Sequence, residues 1–271
     1  LFKDTKEELI QCLDQTDYEK AKLKWKELQN IKIIDPSSGS GSFLIKVLKE
    51  IYSVYLEIKK KLEWVEQIHS HAGSKDLFDI PKQILEGKKF YEYVNFDEPR
   101  LLISKMILNH IYGADLDERA LETAKTNIWK EAVKLDPQAF NFRKLPEDKN
   151  HILPSLEMNF VSGDSLYDMD WKEEISILQK EFKPEIIQLH KIRNSYLDNP
   201  FHPEYLDDTK SIKDKVKQAL LEKLEPISKP LFYPLEYFYC FFDIQGNALD
   251  DSEIGFSGVI SNPPWEAIKP I

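Results

Sequence analysis

Cysteine is scarce in this chain: there are two in 271 residues, Cys12 and Cys240, far apart and in no CxxC pattern. That excludes a disulfide framework and a cysteine-based zinc site, and it fits a reducing, cytosolic compartment. Long apolar runs are missing too, so no segment is expected to span a bilayer. The opening Leu1-Phe2-Lys3-Asp4 has neither an initiator Met nor the basic-then-apolar layout of a signal peptide, and export is not expected. Positive charge is in deficit. A net charge of −10 argues against a chain that grips nucleic acid by itself, because neutralisation of phosphates by Lys and Arg dominates such affinity. Any such surface must be local or lie outside this chain. The six histidines, His69 and His71 included, show no zinc or iron ligand spacing, so no metal is expected.

What is present is the composition of a folded domain. With 42% hydrophobic residues the chain can bury a full core, and one domain carrying insertions is expected. Thr5-Lys6-Glu7-Glu8 has capping-box spacing ahead of Leu9, Ile10 and Leu13, and Lys/Glu-rich sequence runs on through Trp25 and Leu28, which predicts two short helices. Ile31 to Ile34 is a β-branched run that stops at Asp35-Pro36 and a Ser/Gly loop. That loop opens onto Phe43, Leu44, Val47, Leu48 and Ile51 at helical spacing.

Residues 59–98 are charged and aromatic, with isolated Gly73, Pro81 and Gly87, and suit a helical insertion. A helix is predicted from Pro99, then a strand from His110 to Ala114, with Asp117 capping a helix from Glu118 to Leu135. Met158 to Val161 is a third strand, ending at Ser162-Gly163-Asp164-Ser165, and Gly258 to Ser261 a fourth. Between them, residues 166–256 read as a large insertion with helices from Trp171 to Lys183 and Glu204 to Leu224 and an aromatic run from Leu231 to Phe242. Strands alternating with helices, with polar residues at each strand's C-terminal end, predict an α/β doubly wound parallel sheet with its ligand at those ends.

Four strand-end loops could carry chemistry. In Asp35-Pro36-Ser37-Ser38-Gly39-Ser40-Gly41-Ser42-Phe43-Leu44, glycine allows close ligand approach and positive φ, and the following helix N-terminus offers N–H groups to a carboxylate. By itself it could be an ordinary turn capping a helix. Asp115 sits where an acidic strand end accepts hydrogen bonds from ribose hydroxyls in Rossmann-type folds, although Asp115 and Asp117 could simply cap the next helix. Asp164 could accept from an adenine amino group, or mark only a turn. Asn262-Pro263-Pro264-Trp265 is the sharpest signal: the prolines fix the backbone and aim the Asn262 amide oxygen and the Pro263 carbonyl at one NH₂ group, while Trp265 can stack on a base swung out of a duplex. A Pro-Pro turn that merely ends a strand is its plain alternative.

Together these residues resemble the amino-methyltransferases of restriction–modification systems. Their cofactor motif reads roughly Asp-Pro-Ala-Cys-Gly-Ser-Gly-x-Phe-Leu, and their catalytic motif Asn-Pro-Pro followed by Tyr, Phe or Trp. Pro234-Leu235-Glu236-Tyr237-Phe238 and Phe241-Phe242-Asp243 before Gly258 are similar to the large fused Type IIG enzymes. The resemblance spans roughly residues 31 to 265. It implies a Rossmann-like S-adenosyl-L-methionine-dependent fold, incomplete at the C-terminus, made of a cofactor-loop unit (30–58), the insertion at 59–98, second and third strand units (99–165), the insertion at 166–256 and a catalytic loop (257–271).

The same resemblance implies that Asp35, Gly39 and Gly41, with Pro36, Ser37 and Phe43, line the methionine end of the cofactor. It assigns Asp115 and Leu116 to the ribose, Asp164 and Ser165 to the adenine, and Asn262, Pro263, Pro264 and Trp265 to the target base. The motif order implies N6 methylation of adenine in double-stranded DNA, bound through a recognition domain outside this chain. Departures are Ser37 and Ser38 in place of Ala and Cys, and the lack of an upstream Thr-Pro motif before Ile31, which implies reduced cofactor affinity. A chain of this extent is expected to be inactive alone and to self-associate through an unfinished sheet edge. Glu57-Ile58-Lys59 and Glu86-Gly87-Lys88 match a nuclease tripeptide only by chance in so Lys/Glu-rich a chain. Methylation of RNA or of a protein glutamine amide, and a non-catalytic cofactor sensor or scaffold, are the alternatives.

Overall fold

A computed structural model describes residues 2–71, 82–140, 153–165, 170–202, 204–224 and 230–262. Its centre is a four-stranded sheet in which every pairing is parallel: β1 (Ile33–Asp35), β2 (Ile111–Asp115), β3 (Phe160–Ser162) and β4 (Gly258–Val259), in the order β3-β2-β1-β4. The strand order reverses at β1. Its neighbours β2 and β4 lie on opposite sides, which is the switch point where an open α/β sheet leaves a crevice beyond its strand ends.

Side chains alternate across the sheet with period two, and each face has its own core. Ile31, Ile111 and Phe160 face a layer made of α1 (Phe2–Asp14), α2 (Tyr18–Gln29), α3 (Ser42–His71), α4 (Lys82–Val94), α5 (Pro99–His110) and α6 (Glu118–Leu135). Ile34, Tyr112 and Ala114 face α7 (Trp171–Glu181), α8 (Lys183–Asp198), α9 (Glu204–Leu224), the short α10 (Tyr233–Glu236) and a 3₁₀ turn at Phe238–Cys240. The predicted α/β sheet is therefore present, covered on both faces. Among the described residues no helix is long and apolar enough to cross a membrane.

Local sequence explains the elements that aim the strand ends. In α3, Leu44, Leu48, Ile51, Tyr55, Ile58 and Leu62 recur at alternating four- and three-residue steps, so one stripe is buried along the helix. Each such side chain contributes about 2 kcal/mol of burial. Pro99 occupies the first turn of α5, where its missing N–H costs nothing. Asp117 caps α6, accepting from Arg119 N at 2.9 Å. The first helix departs from expectation: it starts at Phe2, so Thr5 lies inside it, and the side-chain cap belongs instead to Asp17, which accepts from Lys20 N at the start of α2.

Buried polar groups pin the sheet to its helices. Asn159 Nδ2 donates to Leu108 O (3.0 Å) and Ile111 O (2.9 Å), and Tyr237 Oη donates to Gly113 O (2.9 Å). His110 Nδ1 lies 2.6 Å from Ile31 O, a pure acceptor, so Nδ1 carries the proton and Nε2 accepts from Tyr55 Oη at 2.8 Å. Burial pushes the His110 pKa down to about 4, in keeping with that neutral ring.

Candidate active site

The chain turns sharply after β1 and enters α3 at Ser42. Ser37 N donates to Asp35 Oδ1 (3.1 Å), Ser38 N to Ala114 O (2.9 Å) and Gly41 N to Ser38 O (2.8 Å). Gly39 and Gly41 take φ of +50° and +78°, a region that disfavours side chains. Their surroundings differ. A Cβ on Gly41 would lie 3.2 Å from Ala124 Cβ and 3.3 Å from Ala124 Cα in α6, whereas one on Gly39 would meet nothing within 4 Å. Gly41 is thus needed for packing, and Gly39 faces open space.

Asp115 ends β2 beside this loop. Its Oδ2 accepts from Gly39 N (2.9 Å) and its Oδ1 from Asp117 N (3.0 Å), so one carboxylate shapes both the glycine loop and the entry to α6. Leu116 is 64% exposed. The end of β3 closes in through Ser165 Oγ, which donates to Pro36 O at 2.6 Å, and through Gly163 N, which donates to Asp115 O at 3.1 Å. Half-buried Asp164 pairs through its backbone with the Pro230 segment, Leu231 N donating to its carbonyl at 3.2 Å. Phe43 turns toward Lys46, whose Nζ is 5.6 Å from its ring centre.

β4 brings the fourth loop to the first. Ile260 N donates to Ile34 O at 2.9 Å, extending the pairing beyond β4, and Ser261 Oγ then lies 2.6 Å from Ser37 Oγ. Asp35 is buried, which raises its pKa, as does the charge of Asp115; hydrogen bonds from Ser37 N and the Ser261 hydroxyl oppose the rise. In the serine pair either hydroxyl can donate to the other. Asn262, the next residue, is exposed at the mouth of the crevice. Pro263, Pro264 and Trp265 lie outside the described residues.

The structure therefore gathers Asp35, Pro36, Ser37, Gly39, Asp115, Ser165 and Asn262 at one end of the sheet. Ser261 joins them, unforeseen from sequence; its only signal was a second serine facing the departure at Ser37. Among the described residues, no group of three or more His, Cys, Asp or Glu could hold a metal ion.

Comparison with known proteins agrees with this geometry. The model of the MmeI DNA-methyltransferase domain family matches residues 13–262. The chain belongs to that family. It is a methyltransferase domain of the restriction–modification type, in which the match runs from α1 to Asn262. A relative from Methanocaldococcus jannaschii, whose name describes a type II restriction enzyme and methyltransferase, is 32% identical over 149 residues. That stretch is 55% of this chain and 9% of the relative. No solved structure matches the chain.

Proposed function

We propose that this methyltransferase domain binds S-adenosyl-L-methionine at the glycine loop and directs its methyl group to the N6 amine of an adenine swung out of duplex DNA. The observation that carries the reading is the serine contact across the switch point: it sets Asn262 beside the loop that holds Gly39, so a donor and an acceptor of the methyl group can meet.

The chain's own residues suit that cofactor. Gly39 leaves room for a ligand against the backbone, and the first turn of α3 presents N–H groups suited to a carboxylate. Each Asp115 oxygen accepts one backbone N–H and keeps acceptor capacity for ribose hydroxyls. Asp164 ends the adjoining strand, on the side where the adenine ring would lie. When bound, the cofactor supplies an electrophilic methyl group. The amide oxygen of Asn262, with the carbonyl of Pro263, would accept the two amine protons of the target base and leave the nitrogen lone pair aimed for attack; Trp265 would stack on the base.

A net charge of −10 favours DNA capture by surfaces beyond these residues. Full-length protein is expected to transfer labelled methyl groups to adenine in duplex DNA and to lose that transfer with Asn262→Ala while still binding cofactor. Undiminished transfer by the variant would sink the assignment.

A further inference from the structure

The opposite end of the sheet holds a second cavity, of about 510 Å³, within the size range of small-molecule sites. Its walls come from residues just before the strands: Lys32 precedes β1, Asn109 precedes β2 and Ser257 precedes β4. It therefore lies at the other end of the strands from Gly39 and Asn262. The floor is Arg193 of α8, only 7% exposed.

Among the described residues Arg193 has no carboxylate partner. Its Nη2 donates to Leu108 O (3.3 Å) and Tyr112 Oη (3.1 Å), and its guanidinium carbon sits 3.8 Å from the centre of the Tyr239 ring. Nε and Nη1 have no acceptor among the described residues and are not sealed away, so part of the five-donor fork opens on the cavity. Lys32 adds a second cation, whose Nζ, among the described residues, donates to Asn30 O alone, at 3.3 Å. Burial lowers the Lys32 pKa, a fall that Cys240 opposes and the charge of Arg193 deepens slightly. Two carboxylates reach the lining without pairing with either cation. Asp243 is occupied by Gln245 N, Asn247 N and Asn247 Nδ2 at 2.8–3.0 Å, and Glu253 is exposed at the rim. The amides of Asn109 and Asn194 complete a donor-rich wall.

A buried and a half-buried cation, neither paired with a carboxylate among the described residues, are costly unless an anion joins them. We propose that this cavity binds a small phosphate-bearing molecule, its dianionic phosphate held by the Arg193 fork and the Lys32 ammonium. A phosphate monoester carries about the two negative charges that match the pair, and its three oxygens can accept separately from Arg193 Nε, Arg193 Nη1 and the Lys32 ammonium. The recessed position of Arg193 favours a free small molecule over a continuous DNA backbone.

Calorimetric titration of the protein with inorganic phosphate, at ionic strength held constant with chloride, tests this. Saturable one-to-one binding is expected. Lys32→Gln and, at the exposed rim, Asn194→Asp should each weaken it at least tenfold, while Asn262→Ala leaves it unchanged. Circular dichroism of each variant verifies that it is folded. Absence of saturable binding through tens of millimolar phosphate, or wild-type affinity in both Lys32→Gln and Asn194→Asp, would overturn the proposal. Displacement of the bound phosphate by short duplex DNA would overturn the small-molecule assignment.

Discussion

Gly39 and Gly41 stand two residues apart in the same loop with the same sign of φ, yet alanine should injure the protein differently at each. At either position an L-residue pays for the left-handed backbone, about 1–2 kcal/mol, offset by up to about 1 kcal/mol from the less flexible unfolded chain. At Gly39 nothing more is added, because the new methyl group meets open space. At Gly41 it meets Ala124 Cβ at 3.2 Å and Ala124 Cα at 3.3 Å, and helix backbone yields poorly, so overpacking adds about 1–3 kcal/mol. Gly41→Ala should therefore cost about 3 kcal/mol and Gly39→Ala about 1 kcal/mol, or falls in Tm of about 8 °C and about 3 °C for a domain of this size. Chemical denaturation and thermal melts of the two variants measure this directly. Cofactor affinity should sort them the other way, Gly39→Ala losing at least tenfold because its methyl group fills the space left for the ligand. Equal destabilisation of the two would refute the packing argument, and full affinity in Gly39→Ala would refute the placement of the cofactor.

The serine pair invites a double-mutant cycle: Ser37→Ala and Ser261→Ala should show a coupling of about 1 kcal/mol, and a coupling of zero would show that the 2.6 Å contact contributes nothing. For pH dependence, His110 has its pKa depressed from 6.5 to about 4, so its contribution is present above pH 6.5 and is lost as pH falls through about 4. That gap is worth about 3 kcal/mol; His110→Gln should flatten the acid limb of Tm against pH, and an unchanged limb would count against it. Glu174 behaves oppositely. Burial, then the charge of Glu236, raises its pKa well above 4.5, against the pull of Leu235 N and Lys217, so its contribution is present below pH 4.5 and is lost as pH rises through the elevated value. Glu174→Gln keeps an oxygen for Leu235 N, now accepted at 3.0 Å, and should be more stable than wild type at mildly alkaline pH; a destabilised variant would contradict this.

How far the sequence revealed the molecule depended on whether a signal was local. Asp117 and the limits of α6 could be read because a cap and its helix sit side by side, and α9 could be read from its charged periodicity. Strand positions came out within about two residues, since Pro36, Gly163 and Pro263 punctuate their ends. Helix α8 went unread: Pro184, which looks like a break, sits in its first turn. The aromatic run from Leu231 to Phe242 has no period because it is buried on several sides, folding into α10 and the 3₁₀ turn against Tyr112. Least legible were contacts between distant loops. Nothing near Ser37 announces Ser261, and the hold of Asp115 on Gly39 N spans 76 residues.

The central position of β1 has a consequence during synthesis. Lys32 and Ser257, which join the start of β1 to that of β4, are 225 residues apart, and β2 follows β1 only after α3, α4 and α5. At about 5–20 residues per second, a ribosome takes on the order of ten to forty seconds to deliver the second neighbour of a strand already made. Throughout that interval the nascent chain carries Ile33 and Ile34 with one hydrogen-bonding edge unclaimed. The crevice where Ser37 meets Ser261 is consequently among the last features to form as the polypeptide emerges, and growing chains interrupted before Gly258 should bind chaperones through that edge.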